Sequence, residues 1–300
     1  MPERVADRSS LAALLDDAAA ALGDAGVPEP RREARGLWAA MAGGGLTPGD
    51  VWLARERAAA PDTERRFREA VERRASGIPF AYAVGRATFR TLALALDGRA
   101  LIPRPETEGL VDLALREVGK RNNGRGKGVA ADIGTGCGCI ALSLAVEGEG
   151  DFERVIAVER SPDAAALARD NVARVRPVVP VEVREGDLLA PLAGERCRLI
   201  VANPPYLTEA EYAELDPAVR LFEPRDALVS GADGLAATRA LLGGARPLLE
   251  RGGLLALEID ERRGDAVLAL ARRCGWRSAT LHDDLFGRPR YLVARLEEDA

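Results

Sequence analysis

The sequence has few of the residues that build metal sites, disulfide frameworks or membrane spans. It holds one histidine, His282, and four cysteines without a paired CxxC spacing. This argues against a Cys/His zinc site and indicates buried, reduced thiols in a cytosolic protein. No segment approaches the roughly 18 apolar residues of a membrane helix, and the first ten residues lack a signal-like apolar run. We therefore expect a cytoplasmic protein without a membrane partner.

An excess of positive charge is also missing. The formal net charge is −5, and before residue 80 the chain has 12 arginines against 13 acidic residues. Proteins that bind duplex DNA usually carry a basic face that neutralises phosphates. The short basic stretch at residues 120–127 is typical of a solvated loop. We therefore expect no direct binding of nucleic acid.

Two domains and a linker are predicted from the length and the patterns. Hydrophobic residues make up 47% of the 300 residues, enough for a sizeable core. Residues 1–78 have helical spacing, with Ser10 as the first cap and glycines as stops. Residues 79–103 are predicted to be a β-hairpin linker, because alternation begins at Thr88 and Asp97-Gly98 is a turn signal.

Helical and strand patterns alternate over residues 104–300, which predicts an α/β domain with a mainly parallel sheet. The connection between the last two strand candidates is too short for a parallel crossover, so this pair should be antiparallel. The strand candidates are residues 128–133, 154–159, 180–184, 198–202, 253–259, 276–282 and 290–296.

A glycine-rich turn follows the first strand candidate. It consists of Gly134, Thr135, Gly136, Cys137 and Gly138. Glycines let a ligand approach the backbone closely, and such a turn lies at the sheet edge where doubly wound folds bind nucleotides. The dinucleotide fingerprint is G-x-G-x-x-G, whereas the third glycine here comes one residue early. The spacing favours S-adenosylmethionine over NAD.

Acidic residues accompany successive strand ends. Asp132 precedes the glycine turn and is placed to hold it or a ligand amine. Glu159 ends the second strand candidate, where a carboxylate can accept hydrogen bonds from ribose hydroxyls. Asp187 follows the third, and we predict that it lies near the adenine with Leu188 packed on the ring.

The sharpest motif is Asn203, Pro204, Pro205 and Tyr206, directly after four apolar residues. Two prolines end the strand ladder and stiffen the loop. The carboxamide of Asn203 and the carbonyl of Pro204 offer acceptors, and Tyr206 offers a flat apolar face. An amide or exocyclic amino nitrogen is a poor nucleophile, and two acceptors can orient it while positive charge develops during methyl transfer. We predict that these four residues are catalytic and bind the substrate, and that Asn203 also contacts the cofactor.

Together these motifs resemble the HemK/PrmC family, the release factor glutamine N(5)-methyltransferases. The resemblance covers roughly residues 76–296. It also includes the segments at residues 76–79, 101–108, 222–225, 233–235, 252–253 and 258–259.

The resemblance implies a Rossmann-like, seven-stranded class I methyltransferase sheet with a reversed last strand. It implies S-adenosylmethionine as cofactor, S-adenosylhomocysteine as product, and the glutamine of a release factor Gly-Gly-Gln loop as substrate. Residues 103–108 would line the methionine end of the cofactor. We expect a monomer whose helical N-terminal domain docks the protein substrate.

The sequence departs from the family pattern in places. Ala202 stands where the family usually has serine, Glu159 where it has aspartate, and Leu188 where an aromatic residue is common. At residues 260–263 the pattern is lost, so no family role is carried over there.

Three alternative functions share part of this pattern. A DNA adenine methyltransferase shares the Asn-Pro-Pro-Tyr chemistry but usually needs a basic groove. A ribosomal-protein glutamine methyltransferase tends to lack the Arg-Pro-Glu-Thr-Glu stretch found at residues 104–108. A dehydrogenase or a non-enzymatic nucleotide-binding module accounts for neither the double proline nor Tyr206.

Overall fold

The computed structural model describes residues 10–120 and 126–297. It divides the chain into two compact units, Met1–Gly85 and Arg86–Ala300. Most of the basic stretch at residues 120–127, for which the sequence predicts a solvated loop, lies outside the described residues. Within the described part, no helix is both long and apolar enough to cross a membrane.

The first unit is helical. Ser10 begins its first helix by accepting a hydrogen bond from the Ala13 N–H, and Thr47 and Asp50 form a reciprocal capping box at the third. Its core contains the edge-to-face pair Trp38 and Phe67, with ring centroids 5.2 Å apart. The helices are α1 (Leu11–Asp24), α2 (Pro30–Ala42), α3 (Pro48–Leu53), α4 (Pro61–Ala75) and α5 (Phe80–Val84).

Residues 79–103 differ from the predicted β-hairpin linker. They begin with helix α5, which Gly85 ends in the left-handed region. A short hairpin follows, β1 (Arg86–Phe89) and β2 (Leu92–Ala95). Its turn lies at Arg90, not at Asp97-Gly98, because the Arg90 N–H donates to Glu108 and the Arg90 guanidinium binds Glu147. These contacts join residues far apart in the sequence and stabilise a left-handed conformation that alternation alone does not indicate.

The second unit contains a seven-stranded sheet in the order β5-β4-β3-β6-β7-β9-β8. Strands β3 to β7 are parallel, and β9 is antiparallel to both of its neighbours. The reversed last strand and the antiparallel final pair are therefore confirmed. The strands are β3 (Gly128–Ile133), β4 (Phe152–Glu159), β5 (Val181–Glu185), β6 (Cys197–Ala202), β7 (Leu249–Glu258), β8 (Ser278–Asp283) and β9 (Pro289–Arg295).

Helices cover the sheet and connect its parallel strands. Helix α6 contacts α7 and β7, whereas α11 and α12 share a large apolar cluster with β3, β4, β6 and β7. Trp276 is buried in that cluster and its indole N–H donates to the Leu242 carbonyl at 2.8 Å. The helices are α6 (Pro105–Gly119), α7 (Cys139–Glu147), α8 (Pro162–Val175), α9 (Glu209–Ala213), α10 (Pro217–Phe222), α11 (Ala236–Gly244) and α12 (Gly264–Arg273).

Candidate active site

A cleft of about 880 Å³ opens at the carboxyl ends of β3, β4, β5 and β6. Strand β3 lies between β4 and β6. The chain therefore builds the sheet to one side of β3 with β4 and β5, and then to its other side with β6. Such a switch point is where open α/β sheets bind ligands. The lining includes seven of the residues predicted from the sequence: Gly134, Gly136, Glu159, Asp187, Leu188, Asn203 and Pro205.

The glycine turn presents backbone to this cleft. Gly134 and Gly136 have φ values of 74° and 55°, a region that residues with a side chain rarely adopt. A Cβ added at Gly134 would meet no atom within 4 Å. Since Gly134 lines the cleft, that Cβ would occupy ligand space.

Three predicted members of the turn lie outside the cleft lining. Thr135 is buried, and its hydroxyl donates to the Asp132 carboxylate at 2.6 Å. The Cys137 side chain is also buried, and its carbonyl accepts from the Asn171 amide. Gly138 is the left-handed N-cap of α7. These three residues stabilise the turn without lining the cleft, and their position in the motif did not indicate this.

Asp132 holds the glycine turn, one of the two roles considered for it. Its carboxylate accepts from the Thr135 hydroxyl and from the Ala141 N–H in the first turn of α7. The side chain is completely buried, and burial raises its pKa to about 7. The other carboxylate oxygen has no hydrogen-bond partner among the described residues.

Glu159 also binds the backbone. One carboxylate oxygen accepts from the Gly136 N–H and the other from the Ser161 N–H, each at 2.9 Å. Each oxygen keeps a further lone pair, so Glu159 can still accept from a ligand hydroxyl in the cleft. The sequence predicts the ribose contact but not this structural role.

Asn203 is the polar side chain that the loop after β6 brings to the cleft. Its amide nitrogen donates to the Thr107 hydroxyl at 3.1 Å, and that hydroxyl donates to the Glu258 carboxylate at 2.8 Å. Thr107 and Glu258 are both almost completely buried. Neither was predicted to contact Asn203; the only signal was that both belong to segments that carry the family resemblance.

The prolines and Tyr206 complete this loop. Pro205 lines the cleft, whereas Pro204 is buried and Tyr206 is half-buried outside the lining. The Tyr206 N–H donates to the Leu228 carbonyl, which joins the loop to residues 224–231, a segment that also contributes to the cleft lining. Burial raises the pKa of Tyr206 to about 12, so its hydroxyl stays protonated at neutral pH.

Ion pairs to the buried carboxylates of Glu223 and Asp260 hold segments of this unit together. The Glu223 side chain accepts from the Ile102 N–H and from the Arg104 guanidinium, which joins the two wall segments. Residues 260–263, for which no family role was carried over, form a second cluster. There Arg263 binds Asp260 and makes two 2.8 Å contacts with Glu211 of α9.

Residues 103–108, which the resemblance assigned to the cofactor, are absent from the cleft lining. The lining from this part of the chain is Arg99, Ala100 and Leu101. Over residues 10–120 and 126–297, no group of three or more His, Cys, Asp or Glu side chains could hold a metal ion.

Two family models match the chain. The PrmC N-terminal domain matches residues 13–85, and the methyltransferase small domain matches residues 114–233. A methyltransferase crystal structure from Pyrococcus furiosus shares the fold, with a TM-score of 0.52 and 20% identity. It covers 76% of this chain and 100% of its own.

Curated relatives extend the match over nearly the whole chain. The release factor glutamine methyltransferase of Deinococcus radiodurans is 40% identical over 282 residues, which is 94% of this chain and 97% of the relative. That of Moorella thermoacetica is 39% identical over 294 residues, 95% of this chain and 98% of the relative. The chain therefore belongs to the family of release factor glutamine methyltransferases, as its motifs predict.

Proposed function

We propose that this enzyme transfers a methyl group from S-adenosylmethionine to the side-chain amide nitrogen of the glutamine in the Gly-Gly-Gln loop of peptide chain release factors. The observation that carries the proposal is the placement of the Asn203 carboxamide in the same cleft as the glycine turn. Membership of the family supports the choice of a glutamine amide over an adenine amino group.

The residues of the cleft fit S-adenosylmethionine. Gly134 and Gly136 leave open space against the backbone where a side chain would intrude. Glu159 and Asp187 offer acceptors at the ends of adjacent strands, and Leu188 offers an apolar surface. When bound, this cofactor supplies an electrophilic methyl group on a sulfonium. The predicted contacts with Thr135, Cys137 and Gly138 would then involve their backbone, since the two side chains are buried.

The loop after β6 orients the nucleophile. The Asn203 Oδ1 and the Pro204 carbonyl would accept from the two N–H groups of the substrate amide, with Pro205 and Tyr206 beside it. Two acceptors aim the nitrogen and favour the positive charge that develops on it. Tyr206 is a poor candidate for a base, because burial raises its pKa to about 12. No residue has to remove a proton before the methyl group moves.

We propose further that the helical unit docks the protein substrate. Around α3 it exposes Leu46, Trp52 and Leu53, and the Arg55 guanidinium lies 4.1 Å from the centre of the Trp52 ring. Aromatic and arginine side chains are favoured anchors at protein interfaces. Trp52→Ala should therefore raise KM for the release factor while the Kd of S-adenosylmethionine stays the same. Equal KM values for the variant and the wild type would exclude this surface.

The proposed reaction is tested by transfer of labelled methyl from S-adenosylmethionine to a purified bacterial release factor. The same factor with its Gly-Gly-Gln glutamine replaced, a ribosomal-protein substrate and duplex DNA serve as comparisons. Label on the intact release factor alone is the expected result. Label on DNA would contradict the proposal and favour an adenine methyltransferase. Label on the ribosomal protein alone would contradict it and favour that protein as the glutamine substrate. Monomeric, cytoplasmic action without direct nucleic-acid binding stays a prediction from the sequence.

A further inference from the structure

Three hydrogen-bonded side chains connect the buried end of strand β7 to the cleft. Glu258 ends β7, Thr107 lies in the first turn of α6, and Asn203 follows β6. The Thr107 hydroxyl donates to Glu258 Oε2 at 2.8 Å and accepts from Asn203 Nδ2 at 3.1 Å. Glu258 is 1% exposed and Thr107 is 2% exposed, so water has little access to these bonds.

The donor and acceptor roles in these two hydrogen bonds are set by Glu258. An ionised carboxylate only accepts hydrogen bonds, and a hydroxyl has one proton to donate. When that proton goes to Glu258, the Thr107 oxygen has only acceptor capacity left for its second partner. Asn203 must then turn its NH2 group toward Thr107, and its Oδ1 is left for the cleft.

We propose that Glu258 and Thr107 act as positioning residues that hold the Asn203 carboxamide with Oδ1 toward the substrate amide. The inference rests on the proposed function, because it takes a glutamine amide as the group that Asn203 receives. We call the two hydrogen bonds from Asn203 to Thr107 and from Thr107 to Glu258 the relay. Without the relay, the Asn203 carboxamide can turn over and present its N–H groups to the N–H groups of the substrate. A lost and mismatched hydrogen bond of this kind slows a reaction by about 10- to 100-fold.

Protonation of Glu258 would reverse the donor and acceptor roles in both hydrogen bonds. A neutral carboxyl can donate to the Thr107 oxygen, and the Thr107 hydroxyl can then donate to Asn203 Oδ1. Burial, with a smaller contribution from the charge of Glu106, raises the pKa of Glu258 to about 7, although the Thr107 hydrogen bond and the charges of Arg290 and Arg104 act to lower it.

The two tyrosines near Glu258 do not titrate in the same range. Tyr206 from the loop after β6 and Tyr291 from β9 both respond to its charge, and their own pKa values are raised to about 12. Asn203 should therefore be correctly oriented above pH 7 and progressively misoriented below it.

Kinetics on the full-length enzyme test the relay. Thr107→Val keeps the shape but removes the hydroxyl, and we expect kcat at pH 8 to fall about 10- to 100-fold with the Kd of S-adenosylmethionine unchanged. Thr107→Ser keeps the hydroxyl and should restore most of the rate. Ser143→Ala is the matched control, since it removes a buried hydroxyl that donates to its own helix at the Cys139 carbonyl. A Thr107→Val enzyme with wild-type kcat, or a Thr107→Ser enzyme as slow as Thr107→Val, would overturn the proposal.

The pH dependence separates positioning from packing. Wild-type kcat should rise between pH 6 and 8, and Thr107→Val and Glu258→Gln should each abolish that step. If the step persists in both variants, the relay does not cause it and the proposal fails.

A second measurement needs no release factor. The chain has only four asparagines, so selective ¹⁵N labelling gives four side-chain amide signals, and Asn203→Ala identifies the one that matters. In the enzyme bound to S-adenosylmethionine this signal should titrate near pH 7 in the wild type and not in Thr107→Val. An Asn203 signal without titration would refute the relay even if release factor is methylated. A titrating signal without methylation would instead refute the proposed substrate.

Discussion

Replacing Gly134 with alanine tests whether the glycine turn holds the cofactor. Gly134 has a φ of 74°, and a Cβ placed there meets no atom within 4 Å. Gly194 provides a matched control: its φ is 85°, its Cβ would also meet nothing, and it is exposed and not part of the cleft lining. Both substitutions impose similar backbone strain, but only one places a methyl group in the cleft.

The cost of backbone strain and the cost of a methyl group in the cleft can be estimated separately. A side chain in the left-handed region costs roughly 1–2 kcal/mol, so both variants should lose a similar free energy of unfolding. A methyl group forced into a close-packed contact costs about 1–3 kcal/mol, which weakens binding by about 5- to 150-fold. Gly134→Ala alone should show that second loss.

Titration calorimetry with S-adenosylmethionine and urea unfolding measure the two terms on the same preparations. The expected result is an equal drop in stability for both variants and weakened binding for Gly134→Ala only. If Gly134→Ala bound S-adenosylmethionine as tightly as Gly194→Ala, the cofactor would not lie against this turn, and the proposed cofactor site would be wrong.

Three further substitutions probe the site and the core. Asn203→Ala should lower kcat by about 100- to 1000-fold, as loss of one preorganised polar group does, with little change in the Kd of S-adenosylmethionine measured by calorimetry. Glu159→Gln should weaken that Kd, because its NH2 group would face the N–H of Gly136 or Ser161; unchanged binding would argue against Glu159. Trp276→Phe leaves the Leu242 carbonyl unpaired and should cost about 1–3 kcal/mol in urea unfolding.

The strands of the sheet were largely predictable, because buried parallel strands form apolar runs between helical segments. Strand β3 begins and ends where the pattern placed it, at Gly128–Ile133. Strand β7 starts earlier than predicted, at Leu249 instead of residue 253. The sequence at Gly252 suggests a stop, but its φ of 74° accompanies an irregularity in the β6–β7 pairing, and the strand continues through it.

The site was predictable where a motif lies at a strand end, as with Gly134, Glu159 and Asn203. It was not predictable where a side chain acts from another element. Thr107 and Glu258 are 151 residues apart in the chain, and local spacing says nothing about such a pair. The sequence also cannot show that the Glu159 carboxylate already accepts from two backbone N–H groups, because that depends on how the turn folds back over it.

Two buried carboxyl groups should make stability and activity respond oppositely to pH. Burial raises the pKa of Asp132 and of Glu258 to about 7 in the folded protein, above their usual values. Such groups favour the folded state while they are neutral, so their contribution is fully present at low pH and is lost as pH rises through 7. Each contributes about 1.4 kcal/mol between pH 6 and 8, so the free energy of unfolding should fall by about 1–3 kcal/mol in that range.

Activity should rise over the same range if the relay from Glu258 to Asn203 operates, because only the ionised carboxylate fixes the direction of the hydrogen bonds. His282 works against the stability trend, since burial lowers its pKa and favours its neutral form as pH rises. Urea unfolding and single-turnover methylation at pH 6, 7 and 8 would measure both slopes. A purely structural Glu258 predicts that activity does not rise as stability falls. Opposite slopes in the wild type, with the activity slope abolished in Glu258→Gln and the stability slope reduced to the part that Asp132 contributes, would instead show that the ionised Glu258 carboxylate both lowers stability and orients the catalytic amide.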